Sequence, residues 1–191
     1  YYTESIETLL EKDDNLFRRY DLIISAVGNH NLNRWINRYT VKNKIDTPVI
    51  YGWNEALGIG SHAAFISREY PGCYECFFKK EENTGIVYDK TSFSEKGQIF
   101  SKKMRGCSSS YIPFGSGTSI TTVLAIIGLV KKFFEKRIGD NILKSIKGDS
   151  YYMEEEGYLL SPKYKAQENK EQDYLGVRFI NSECGVCSNE K

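Results

Sequence analysis

Two C-x-x-C pairs, Cys73/Cys76 and Cys184/Cys187, use four of the chain's five cysteines. Zinc binds four thiolates tetrahedrally, and a C-x-x-C turn lets two sulfurs converge on one ion. If a single ion takes both pairs, the tail must return to the 69–78 loop, and residues 77–183 become a closed loop. "PGCYEC" and "CGVC" both read as turns, with Pro71-Gly72 and Gly185 expected to supply the backbone freedom. Two other readings stand beside the metal: a redox pair, or two unrelated cysteine pairs. A site with four protein thiolates is closed, so the zinc reading implies a structural ion.

At 191 residues the chain is long enough for one domain with a sizeable core, and residues 1–191 are read as a single domain. A net charge of +1 with 27% charged residues carries no signature of a nucleic-acid or membrane partner. The most apolar run, Val123 to Val130, is shorter than the roughly 20 residues of a membrane span and is expected to be a buried helix. An odd cysteine count without a visible secretory leader points to a reducing, cytoplasmic setting. The chain opens on Tyr1 rather than Met and reads as a processed chain or a piece of a longer one.

Hydrophobic periodicity predicts a short helix in 5–20, a buried strand in 20–29, a helix over 31–44 and a second strand at 47–53. Strand, helix, strand is a βαβ unit, so the expected fold is α/β with a mixed, largely parallel, Rossmann-like sheet. "HAAFIS" and "GIVYD" are further strand candidates. Residues 117–141 predict one long helix, capped by Thr118 or Ser119, with Ile120, Val123, Leu124, Ile127, Val130 and Phe134 as its apolar stripe. The charge-rich stretch 149–173 reads as a flexible insertion, and 174–180 as a last strand.

Cys107 follows Lys102, Lys103 and Arg105 in a Gly-Cys-Ser-Ser-Ser stretch. Neighbouring cations raise a thiol's thiolate fraction, which makes Cys107 a candidate nucleophile; an inert loop cysteine is the alternative. "GIGSHA" matches a dinucleotide fingerprint in letters only, because strand-like residues follow where a helix is needed. It reads as a Gly-rich turn. His30 and His62 have no metal-ligand spacing to each other, and His30 is expected at the carboxyl end of the first strand.

In order, "YDLIISAVGNHNLNRWIN", "TPVIYGWNEALGIGSHAAFI", "YPGCYECFF", "GCSSSYIPFGSG" and the terminal "CGVC" resemble the C-terminal half of the ubiquitin-activating (E1-like, ThiF/MoeB) superfamily. "GIGSHA" most resembles the bacterial members found in antiphage and ubiquitin-like conjugation operons. The resemblance implies an adenylyltransferase that uses ATP and Mg²⁺ to activate the C-terminal carboxylate of a small protein, with transfer to a cysteine as a thioester in many members. It implies Cys73, Cys76, Cys184 and Cys187 as ligands of a structural Zn²⁺, and Cys107 near the position of the catalytic cysteine. The strand end Val27-Gly28-Asn29 matches the place of an Asp-Asn pair that serves metal and nucleotide. Gly28 stands where the Asp would be, and the family's nearby Arg aligns with Asn33, beside Arg34. The family's nucleotide-binding half precedes this segment and has no counterpart in it. The implied partners are a ubiquitin-like substrate protein, a ubiquitin-conjugating (E2-like) protein and, in the complete protein, a second copy. The other reading is a catalytically inactive, zinc-stabilised module that docks such partners.

Overall fold

The computed structural model describes residues 1–103 and 110–188. Its centre is a five-stranded mixed sheet in the order β1 (Ile23–Ser25), β2 (Val49–Asn54), β3 (Gly60–Ile66), β8 (Ile142–Lys147), β9 (Glu171–Leu175). Two small ribbons, β4 (Phe78–Lys80) with β5 (Val87–Asp89) and β6 (Lys102–Lys103) with β7 (Ser110–Tyr111), lie outside it. The helices are α1 (Ile6–Lys12), α2 (His30–Lys42), α3 (Ser116–Phe134), α4 (Tyr151–Glu155), α5 (Pro162–Ala166) and α6 (Gly176–Phe179).

The α/β class and the first βαβ unit match expectation: β1 pairs with β2 in parallel, Ile24 opposite Ile50, across the helix α2. The largely parallel sheet does not. β2–β3, β3–β8 and β8–β9 are all antiparallel. The short turn at 55–59 lets the chain reverse directly from β2 into β3, and a parallel return would need a crossover. Gly58 takes φ +74° in that turn. A Cβ on Gly60 would come within 2.6 Å of the Glu55 carboxylate and 2.8 Å of His62 Nε2. "GIGSHA" is thus a turn leading into a strand, with no helix for a dinucleotide to cap.

The alternation of β2 divides the core. Val49, Tyr51 and Trp53 face α2 and the cysteine loops, while Ile50 and Gly52 face α3. α3 lies so close that a Cβ on Gly52 would meet Ile126 Cδ1 at 2.6 Å. The buried face of α3 is Thr122, Ala125, Ile126 and Leu129. The expected apolar stripe faces outward instead: Ile120, Val123, Leu124, Ile127 and Phe134 are all exposed, Leu124 by 62%. Only Val130 of that stripe packs partly against the core. Both faces of this helix are apolar, so periodicity alone could not choose between them. By length and composition α3 would also pass for a membrane span, yet it packs on the sheet through its smaller-residue face. Its N-cap is Gly115, with no side-chain cap from Thr118 or Ser119, and it ends at Phe134. The next strand, β8, was hidden behind the Lys/Arg-rich helix end.

Residues 149–173 are not an unstructured insertion. They form α4, α5 and most of the edge strand β9. Met153, Ser161 and Gln167 are buried, and polar composition concealed these anchors. The predicted strand 174–180 contributes only its first two residues to β9 before α6 begins.

Candidate metal centre

The Sγ atoms of Cys73, Cys76, Cys184 and Cys187 all lie within 4.8 Å of one another. Cys73–Cys184 is 3.8 Å, Cys73–Cys76 is 4.0 Å and Cys76–Cys187 is 3.5 Å. A tetrahedral ion with metal–sulfur bonds of about 2.3 Å needs sulfurs about 3.8 Å apart. The cysteines are free thiols, far beyond the roughly 2 Å of a disulfide. Contact with the Cys184, Cys187 and Cys76 sulfurs, together with burial, pushes the Cys73 thiol up. Four sulfurs gathered this closely could together hold a metal ion, and the all-cysteine donor set fits one such as zinc.

Each pair is held by a local turn. Cys76 N–H donates to the Cys73 carbonyl at 3.0 Å, at the start of a 3₁₀ turn over Tyr74–Phe77. In the tail, Ser188 N–H donates to the Cys184 carbonyl at 3.1 Å. Gly72 takes φ +87°, and a Cβ there would press on Phe179 at 3.0 Å. Glycine is required at this point of the Pro-Gly bend. Gly185 has open space around it and no positive φ, so the tail turn does not depend on it as expected.

α2 grips the first pair from the side. Glu75, between the two cysteines, accepts from Arg34 Nη2 at 2.6 Å, Arg34 Nε at 3.1 Å and Arg38 Nη2 at 2.8 Å. Burial alone would raise the Glu75 carboxyl, but these guanidinium bonds outweigh it and hold it low. Buried Asn37 accepts from the Tyr74 N–H at 3.0 Å, and the Tyr74 hydroxyl meets His30 Nδ1 at 2.8 Å. His30 is thus a packing residue at the first turn of α2. Burial lowers its pKa, partly offset by Asp89.

The other anticipated site lies apart, at the C-terminal end of β1. Val27 is exposed, and Gly28 takes φ +63° with open space around it. Asn29 caps α2, accepting from Asn31 N–H at 2.9 Å and Leu32 N–H at 3.2 Å. The Asn29 side chain is thereby committed to the helix. Val27 and Gly28 line a cavity of about 320 Å³ whose described lining residues include no charged side chain. Asn33, at the position where the resemblance would put an Arg, is buried and accepts from Ser25 Oγ at 2.7 Å. Cys107 lies outside the described residues.

A buried polar chain escaped sequence reading. Glu55 Oε1 meets His62 Nε2 at 2.8 Å, His62 Nδ1 meets Ser145 Oγ at 3.0 Å, and Lys163 Nζ donates to Ser145 Oγ at 3.0 Å. Burial opposes the Glu55 charge, but hydrogen bonds from His62, Ser92 and the Phe93 N–H hold its carboxyl at about 2. Burial pulls Lys163 down to about 8, with Asp89 and Glu55 acting the other way. The only signal in the sequence was a histidine inside an apolar strand.

No protein-family model matches the chain, and no curated protein matches it significantly.

Proposed function

We propose that the chain is the C-terminal half of an E1-like adenylyltransferase. In this reading a Cys₄ zinc ion is structural, ATP and Mg²⁺ are bound by a separate nucleotide-binding half, and Cys107 accepts the activated carboxylate of a ubiquitin-like protein. The observation that carries the reading is the convergence of two C-x-x-C pairs, with β8 and β9 of the central sheet between them in sequence, onto one cluster of four sulfurs. A βαβ start whose β1 is the outermost strand of the sheet, with no further partner among the described residues, supports it as well. So do the exposed Ile24 and Val27 on and beside that strand, and the apolar outer face of α3. These are surfaces against which a second half would pack.

One observation favours the second reading, an inactive docking module. Gly28 occupies the position of the family's Asp, and no charged side chain lines the cavity beside it among the described residues. The deciding experiment incubates the complete protein with ATP, Mg²⁺ and a ubiquitin-like protein with a free C-terminal carboxylate. The enzyme reading expects a thiol-sensitive adduct that disappears in Cys107→Ala. An adduct that persists in that variant removes the nucleophile assignment. Stable partner binding with no adduct and no ATP turnover establishes the docking module instead.

A further inference from the structure

A cavity of about 210 Å³ opens on the same face of the sheet as the cysteine cluster. Phe77, Leu143, Tyr174 and Phe179 form its apolar walls, and Lys90, Lys163 and Arg178 supply three cations. No carboxylate lines it among the described residues.

Lys163 is the informative member. Its ammonium donates to the Thr91 carbonyl at 2.8 Å and to Ser145 Oγ at 3.0 Å, which leaves one N–H. It lies 5.1 Å from the Phe93 ring centre and 4.9 Å from that of Tyr174. Ring faces attract a cation but do not neutralise it. The nearby Asp89 accepts instead from the Thr91 N–H and hydroxyl, both at 2.7 Å. Glu55 is occupied by His62, Ser92 and the Phe93 N–H. A largely buried ammonium without a bonded counter-charge is costly, and an anion from outside would offset that cost.

The polar chain behind Lys163 fixes its position. A His62 Nε2–H that donates to the Glu55 carboxylate leaves Nδ1 as an acceptor for the Ser145 hydroxyl proton. Ser145 Oγ is then free to accept from Lys163. Glu55, His62 and Ser145 are all buried, so the ammonium is anchored from the core side with its remaining N–H free for a ligand.

We propose that this cavity binds a small organic carboxylate. Its charged end pairs with Lys163, assisted by Lys90 and Arg178, and its flat apolar body lies among Phe77, Leu143, Tyr174 and Phe179. The volume falls below the about 300–1,000 Å³ of drug-sized pockets and suits a ligand of one ring and one charged group. This inference is independent of the adenylyltransferase reading.

The test titrates the 191-residue chain with benzoate, benzamide and inorganic phosphate, following amide and methyl resonances. Saturable benzoate binding is expected to perturb Leu143. Benzamide should bind at least about tenfold more weakly, the loss of one charge-assisted contact. Lys163→Met should weaken benzoate by a similar factor and Arg178→Gln by a smaller one. Lys79→Gln, an exposed change outside the cavity, should have no effect. If Lys163→Met does not fold, Arg178→Gln and Lys90→Gln together decide the matter. The proposal is overturned by absent benzoate binding, by equal binding of benzamide, or by cavity variants that bind benzoate as wild type does. Inorganic phosphate binding as tightly as benzoate removes the role of the apolar walls and overturns the organic ligand.

Discussion

The side-chain amide of Asn141 donates to the Gly72 carbonyl at 2.9 Å, one residue ahead of Cys73. The same Nδ2 lies 3.1 to 3.2 Å from the Ser67, Tyr70 and Pro71 carbonyls, and Oδ1 accepts from the Ser67 N–H at 2.7 Å. Asn141 is fully buried at the start of β8. One residue therefore ties the sheet to the bend that presents the first cysteine pair.

Asn141→Ala strands several buried backbone groups at once. The expected cost is about 3 kcal/mol, since each unsatisfied buried group costs about 1–3 kcal/mol. Urea denaturation measures it. Asn43→Ala, which removes only an exposed bond to the Tyr39 carbonyl, should cost less than about 1 kcal/mol.

Metal analysis should return one ion per chain. Cys184→Ser should abolish stoichiometric binding, whereas Cys107→Ser should leave it intact. Structural zinc sites are worth about 10–16 kcal/mol of apparent binding energy, against a typical domain stability of about 5–15 kcal/mol. Chelation is therefore expected to lower the melting temperature sharply and to expose the tail to proteolysis. A chain that melts identically with and without chelator would contradict a structural ion.

Glu55 sets an acid limit on stability. Its folded carboxyl titrates at about 2, below the ordinary value of 4.5. A depressed acid contributes its stability above the unfolded value and loses it as pH falls toward the folded one. The window thus runs from 4.5 down to about 2. The contribution is on the order of 3 kcal/mol from the size of the shift. Glu55→Gln should be less stable than wild type at neutral pH, with the gap closing across that acid window in denaturation midpoints. A gap that stays constant with pH would rule the linkage out.

The two faces of α3 should answer substitution in opposite ways. Leu129 is fully buried, and Leu129→Ala should cost about 2–5 kcal/mol. Leu124→Glu on the exposed face should change the isolated chain's stability by no more than about 0.5 kcal/mol. On the proposed reading, in which a second half packs on this face, the same change in the complete protein should weaken that packing, read as dissociation or lost ATP-dependent activity. Equal destabilisation of the isolated chain by both changes would refute the orientation of the helix.

Much of this architecture is legible in residue order, and the exceptions have physical causes. The alternating and continuous apolar runs around Ile50 and Ala64 locate β2 and β3, because strands buried on both sides carry few polar residues. β8 is not legible: "ILKSIK" spends Lys144 on half-buried ion pairs to β9 and Ser145 on a buried bond to His62. The Glu55–His62–Ser145–Lys163 chain joins four segments whose neighbourhood exists only after β3 pairs with β8, His62 opposite Ser145.

Spacing alone determined that Cys73, Cys76, Cys184 and Cys187 could serve one ion, since two three-residue steps have few other uses in a chain without a disulfide framework. Only the tertiary structure decided that the four sulfurs meet, that α3 turns its bulkier apolar side to solvent, and that Gly28 stands beside a hollow with no charged side chain among its described lining residues. The reason is physical: local pattern records what each segment prefers to bury, whereas the choice of face and neighbour is made by the competition among segments for one core.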